Sequence, residues 1–153
     1  MIRRAEDRDI PRVLELLCQV NRLHHEGRPD LFRLATKYGE EDLKAIFRDD
    51  SRPVYVWEND QGVQGYAMCL VQEKKGDRML EDMKTLYVDD LCVDERSRGQ
   101  GVGRALYDHV LSRARAMGCH NVTLNVWACN PGAMAFYEKC GMKCQKTGME
   151  VLL

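Results

Sequence analysis

The sequence predicts an α/β fold in which a mixed sheet carries helices on both faces. Three observations lead there. Strand-like runs and amphipathic helical patterns follow one another in the order β, α, α, β, β, β, α, β, α, β, β. Short turns join the early strands, which suits antiparallel pairing, whereas a helix separates the fourth strand from the fifth, which suits a parallel pair. With 153 residues, 44% of them hydrophobic, the chain is long enough to bury one core, so residues 1–153 are expected to form one domain.

The elements can be taken in order. Ile2 to Ala5 is a short strand. Asp9 caps a helix that tolerates Pro11 in its first turn, and Ile10, Val13, Leu14 and Leu17 make its apolar stripe until the pattern fades near Asn21. Residues 22–32 read as a polar loop carrying a few bulky side chains. A second helix spans Glu40 to Arg48, with Leu43, Ile46 and Phe47 on one side. Strands Val54–Glu58 and Val63–Gln72 flank the turn Asn59-Asp60-Gln61-Gly62. A strand at Leu86–Val93 precedes a glycine-rich bend, and helix Val102–Met117 ends at Gly118. Strand Asn121–Trp127 alternates Val122, Leu124 and Val126 with polar partners. A last helix, Ala133–Lys139, and two short strands near Met142–Lys146 and Met149–Leu152 close the chain.

Composition narrows the function classes. A formal net charge of −1 gives no electrostatic footprint for nucleic acid or an anionic membrane. No apolar run approaches the ~18 residues that would span a bilayer, and Met1-Ile2-Arg3-Arg4-Ala5-Glu6-Asp7 lacks a signal-peptide core, so a cytoplasmic protein is expected. The seven cysteines are odd in number, contain no C-x-x-C pair and mostly fall in apolar segments. They read as reduced thiols rather than as disulfides or metal ligands, and no metal site is expected.

The chemistry concentrates in Leu86–Arg104. Two adjacent carboxylates, Asp89 and Asp90, sit in an apolar strand. A charged turn then leads into Gly99, Gly101 and Gly103 at alternate positions, just where an amphipathic helix begins. Such a bend aims several unpaired N–H groups one way, and the helix dipole adds positive charge, which suits a phosphate. It is neither a dinucleotide fingerprint, since Gly101-Val102-Gly103 is followed by Arg104-Ala105-Leu106, nor a P-loop. What stands is Arg98-x-x-Gly101-x-Gly103.

That motif resembles the Arg/Gln-x-x-Gly-x-Gly/Ala signature of the GNAT N-acetyltransferases. Asn121–Trp127 resembles the family's fifth strand, and Asn130-Pro131-Gly132-Ala133-Met134-Ala135-Phe136-Tyr137 followed by Gly141-Met142 resembles its closing segment. The resemblance covers roughly Leu86 to Leu153. It implies a GNAT-like, mostly antiparallel sheet of six or seven strands whose strands 4 and 5 splay apart, with acetyl-CoA as cosubstrate. Arg98, Gly99, Gln100, Gly101, Val102, Gly103 and Arg104 would grip the pyrophosphate. The backbone around Leu91, Cys92 and Val93 would pair with the pantetheine arm, Leu91 and Val93 facing it by strand parity, and Asn130 would also touch the cofactor.

An amine with a pKa near ~10 is ammonium at neutral pH and must lose a proton before it attacks a thioester. Asp89 or Asp90 is the expected base, Asp89 the favoured one, and Tyr137 is the expected acid towards the leaving thiolate. The acceptor is expected to be a primary amine on a small molecule or peptide, with His24, His25, Asp30, Phe32 and Trp57 as candidate contacts and Tyr38 in the same region. A non-catalytic acyl-CoA-binding or sensor module is the rival reading. The apolar run Val151–Leu153 is a candidate edge for a homodimer.

Overall fold

The computed structural model describes residues 1–153. Its sheet runs in the order β1-β2-β3-β4-β5, formed by β1 (Ile2–Arg4), β2 (Val54–Asn59), β3 (Gly62–Lys74), β4 (Met83–Val93) and β5 (Asn121–Leu124). The first three pairings are antiparallel; β4 and β5 are parallel, from Thr85 opposite Asn121 to Val88 opposite Leu124. The mixed α/β architecture is the expected one, with five strands rather than six or seven. Residues 142–153 form neither of the two expected closing strands.

Each face of the sheet has its own core. On one face lie α1 (Ile10–Gly27) and α2 (Glu40–Phe47), where Val13, Leu16, Leu17, Leu43 and Ile46 pack on Val54, Val56, Tyr66 and Met68. On the other lies α3 (Val102–Ala116), where Val102, Leu106 and Val110 cover Tyr55, Ala67, Leu86 and Val88. Each fully buried aliphatic side chain contributes about 1.5–3 kcal/mol, so the two layers supply most of the stabilisation. Gly65 permits the close approach of α3: a Cβ there would lie 2.8 Å from the Cys92 carbonyl oxygen and 3.3 Å from Val102. No helix is long and apolar enough to cross a membrane.

Two departures from the sequence reading shape the site. Helix α1 continues to Gly27, so residues 22–27 are helix, not loop. Gly27 has no Cβ to collide with Cys129, which would otherwise lie 2.8 Å away, and α1 can therefore reach the β5–α4 connection. Strand β5 stops at Leu124 instead of Trp127. At that level β4 bulges: Met68 pairs with Asp90 and Cys69 with Val88, leaving Asp89 as the extra residue. Beyond the bulge β4 has no β5 partner, and the two strands splay apart.

Candidate active site

The splay opens a cleft of about 1080 Å³. Its walls are the end of β4, the glycine bend, the start of α3, residues 124–127, helix α4 (Pro131–Lys139), the inner face of α1 and residues 31–37. The cleft joins three arrangements of side chains and backbone.

The first is the bend. Asp94 caps the turn Glu95–Ser97, accepting from Arg96 N at 2.8 Å, and two guanidiniums, Arg12 and Arg96, hold its carboxyl well below the usual carboxylate range. Ser97 is pinned to Gln64 through Oγ at 2.8 Å. From this anchor the chain turns through Gly99 (φ +74°) and Gly101 (φ +80°), left-handed conformations that favour glycine. None of the backbone amides from Arg98 to Arg104 donates a hydrogen bond within the chain; the first helical bond is Ala105 N to Gly101 O at 2.9 Å. Arg98 has no carboxylate partner, whereas Arg104 is paired with Asp108. Gly103 brings α3 against α4, since a Cβ there would meet Phe136 at 3.3 Å. Gln100 contributes only its backbone; its side chain turns back to the Arg96 carbonyl and does not line the cleft.

The second is the free edge of β4. Asp94 N bonds Gln64 O on β3 at 2.7 Å, so by alternation the backbone of Leu91 and Val93 faces the gap. Gln19 on α1 uses part of that edge. Its Nε2 donates to Val93 O at 3.0 Å, and its Oε1 accepts from Glu95 N at 3.2 Å. Cys92 points the other way, into the α1 core, its thiol donating to Leu16 O at 3.6 Å. Burial pushes that thiol up to about 12, so it stays protonated at neutral pH.

The third is a group of ionisable side chains. The bulge turns Asp89 and Asp90 towards the α1/α2 face, but their surroundings differ. Asp89 accepts from Tyr38 Oη at 2.6 Å and from Lys37 Nζ at 2.8 Å. Asp90 accepts only from Tyr66 Oη, at 2.6 Å. Burial raises the Asp90 carboxyl above the usual range, with the Tyr66 bond partly opposing the shift. The Tyr137 hydroxyl makes no hydrogen bond within the chain. Burial, and next the Asp90 charge, raise its phenol so that it remains a proton donor at neutral pH. Asn130 lines the cleft and also caps α4, accepting from Ala133 N at 3.1 Å.

The acceptor contacts predicted from sequence divide. His24 lines the cleft, stacks on Phe32 at 5.0 Å between ring centroids, and has its pKa lowered by burial and the Lys37 charge. Phe32 meets Trp127 edge-on at 4.9 Å. His25 is not on the lining; its Nδ1 bonds the Phe32 carbonyl at 2.6 Å and shapes the loop. Asp30 is drawn away by Arg28, which also pairs with Glu150. Trp57 lies on the opposite face, packed with the α3 core, because odd-numbered β2 residues point there. Lys37, Tyr66 and Gln19 escaped the sequence reading. Strand register places Tyr66 beside the bulge, and only the helical continuation of α1 and the path of the following loop place the other two.

The model of the Acetyltransferase (GNAT) family matches residues 2–142. The chain belongs to the GNAT acetyltransferase family. Members use acetyl-CoA, which the unpartnered amides of the bend suit chemically. Among solved structures, the BH1408 protein of Bacillus halodurans is 31% identical and superposes with a TM-score of 0.97, over 100% of this chain and 99% of that one. The glucosamine-6-phosphate N-acetyltransferase of Arabidopsis thaliana shares the GNAT fold, with 23% identity and a TM-score of 0.73 over 99% of this chain and 97% of that one. A curated Arabidopsis thaliana sequence of the same name is 29% identical over 90 residues, which cover 50% of this chain and 58% of the relative. The match thus spans little more than half of that relative.

Proposed function

We propose that the protein transfers the acetyl group of acetyl-CoA directly to the primary amine of a small molecule. The observation that carries this reading is the continuous cleft: unpartnered amides at one end, and Asp90 and Tyr137 lining the same space. The amides from Arg98 to Arg104, with Arg98 beside them, would hold the diphosphate. Leu91 would pair with the pantetheine arm along the β4 edge.

Asp90 is the better base of the two carboxylates. It has a single hydrogen bond and a raised pKa, whereas both Asp89 oxygens are engaged. Asp90 takes the ammonium proton, directly or through a water. The amine nitrogen then forms its bond to the acetyl carbon, the C–S bond breaks, and Tyr137 gives its proton to the departing sulfur. Asp89, held by Lys37 and Tyr38, would fix the acceptor loop and the position of the amine. No cysteine nucleophile is needed, because the Cys92 thiol stays protonated and turned into the core.

For the acceptor, the mouth combines aromatic faces, Phe32 and Trp127, with the cations Arg33 and Lys37. An amino sugar phosphate fits that combination: a ring face to stack, an anion to pair and an amine to acetylate. The named relatives make glucosamine 6-phosphate the first compound to try. CoA release with that compound and a panel of other amines, for wild type and Asp90→Asn, tests the proposal. Turnover lost in the variant supports it. CoA binding without turnover of any amine favours the acyl-CoA sensor.

A further inference from the structure

The edge of β4 that faces the cleft is not wholly open. Val88 is the last residue opposite β5, and beyond it the backbone of Leu91 and Val93 has no strand partner on that side. Of those groups, the Val93 carbonyl alone accepts from a side chain. Its partner is the primary amide of Gln19 on α1, whose Nε2 donates at 3.0 Å. The Oε1 of the same amide accepts from Glu95 N at 3.2 Å. Gln19 thus offers one donor and one acceptor to two backbone groups, as an added strand or a ligand amide would.

Helix α1 grips this end of β4 in two different ways. Arg12 meets the buried carboxylate of Asp94 and donates from Nε to Val63 O at 3.0 Å, charge-assisted ties that fix the bend to β3. Gln19, two turns further along the helix, makes only neutral contacts. The third of these is a weak bond to Cys92 Sγ at 3.6 Å. Gln19 is half-buried and lines the cleft, and Glu95 is exposed, so water can satisfy the Glu95 amide if Gln19 moves away. Arg12 holds the bend; Gln19 can leave without releasing it.

The pantetheine arm of CoA carries secondary amides with the same donor and acceptor groups. We propose, resting on the acetyl-CoA reading of the cleft, that Gln19 is a displaceable stand-in for one of them. It covers the Val93 carbonyl until the arm arrives and swings aside as the arm pairs there. Exchanging one amide partner for another gains little, whereas pairing with an uncovered carbonyl gains a net hydrogen bond. Gln19 therefore weakens the hold on the arm, leaves the diphosphate contacts alone, and favours departure of CoA after transfer.

Calorimetric titration of CoA and of ADP, which has the diphosphate but no pantetheine, into wild type, Gln19→Ala and Gln19→Met tests this. Methionine keeps the side-chain length and lacks the donor, so it guards against lost packing in the alanine variant. CoA is expected to bind about three- to ten-fold more tightly to both variants, the range one net hydrogen bond supplies, with ADP affinity unchanged. A merely structural Gln19 gives the opposite sign, both ligands weakening together as the bend loosens. Hydrogen exchange on wild type is the second readout: CoA should speed exchange at the Glu95 amide, and ADP should not. CoA affinity equal to or weaker than that of wild type in either folded variant overturns the proposal. So does a Glu95 amide as protected with CoA as without it. The acetyl-CoA reading is judged separately: it survives either result if CoA binds and protects the amides from Arg98 to Arg104. If wild type binds no CoA, that reading falls and this inference with it.

Discussion

At the residue scale, the proposed mechanism turns on the difference between two neighbouring aspartates. Asp89→Asn would loosen the Lys37 and Tyr38 contacts and raise KM for the acceptor more than it lowers kcat. Asp90→Asn removes the proposed base and is expected to lower kcat on the order of 10²-fold or more, measured by CoA release under saturating amine. The raised Asp90 pKa also has a stability consequence. A carboxyl whose folded pKa lies above its unfolded value favours folding when protonated, and it loses stability as pH rises between the two values. Asp90→Asn should therefore melt at an equal or higher temperature than wild type at neutral pH, even as its turnover is lost. Tyr66→Phe removes the bond that stabilises the ionised form. The acid limb of its kcat/KM profile should move to higher pH. Tyr137→Phe should lose about 10²-fold in kcat with CoA affinity unchanged in calorimetry.

At the scale of the element, the glycine bend and the β4 bulge do different work. The bend was readable in sequence because its glycines answer a local demand: Gly101 must adopt φ +80° at the start of α3. Nothing lies within 4 Å of a Cβ built there, so Gly101→Ala costs only the left-handed backbone, about 1–2 kcal/mol. The variant should fold and bind CoA more weakly. The family resemblance implied a bulge where the strands splay, but its position was not readable, because it exists only in the register between β3 and β4. Parity alone put Asp89 with Leu91 on the edge side; one extra residue turned both carboxylates to the α1 face. The extension of α1 was hidden for a related reason. Its last turns carry His24, His25 and Glu26, polar residues of which none packs into a core and only His24 lines the cleft, and periodicity of apolar residues has no purchase on such a surface.

At the scale of the whole molecule, two apolar layers hold a sheet whose last pair of strands cannot stay together. The layers follow from binary pattern, and Val13, Leu17, Leu43 and Ile46 lie where their spacing put them. The strands expected at 142–146 and 149–152 have suitable residues but no partner within the chain, and strand formation depends on the partner. Trp57 failed as an acceptor contact because the face of a strand is set by its sheet, not by its own sequence. The central claim is that the amides from Arg98 to Arg104 are the diphosphate site on which acetyl transfer is built. Calorimetric titration of CoA into wild type and Gly101→Ala tests it most directly. The account predicts one-to-one binding by wild type, weakened about ten-fold, or ~1.4 kcal/mol, in the variant. Absence of binding heat in wild type, or equal affinity in the two proteins, would contradict it.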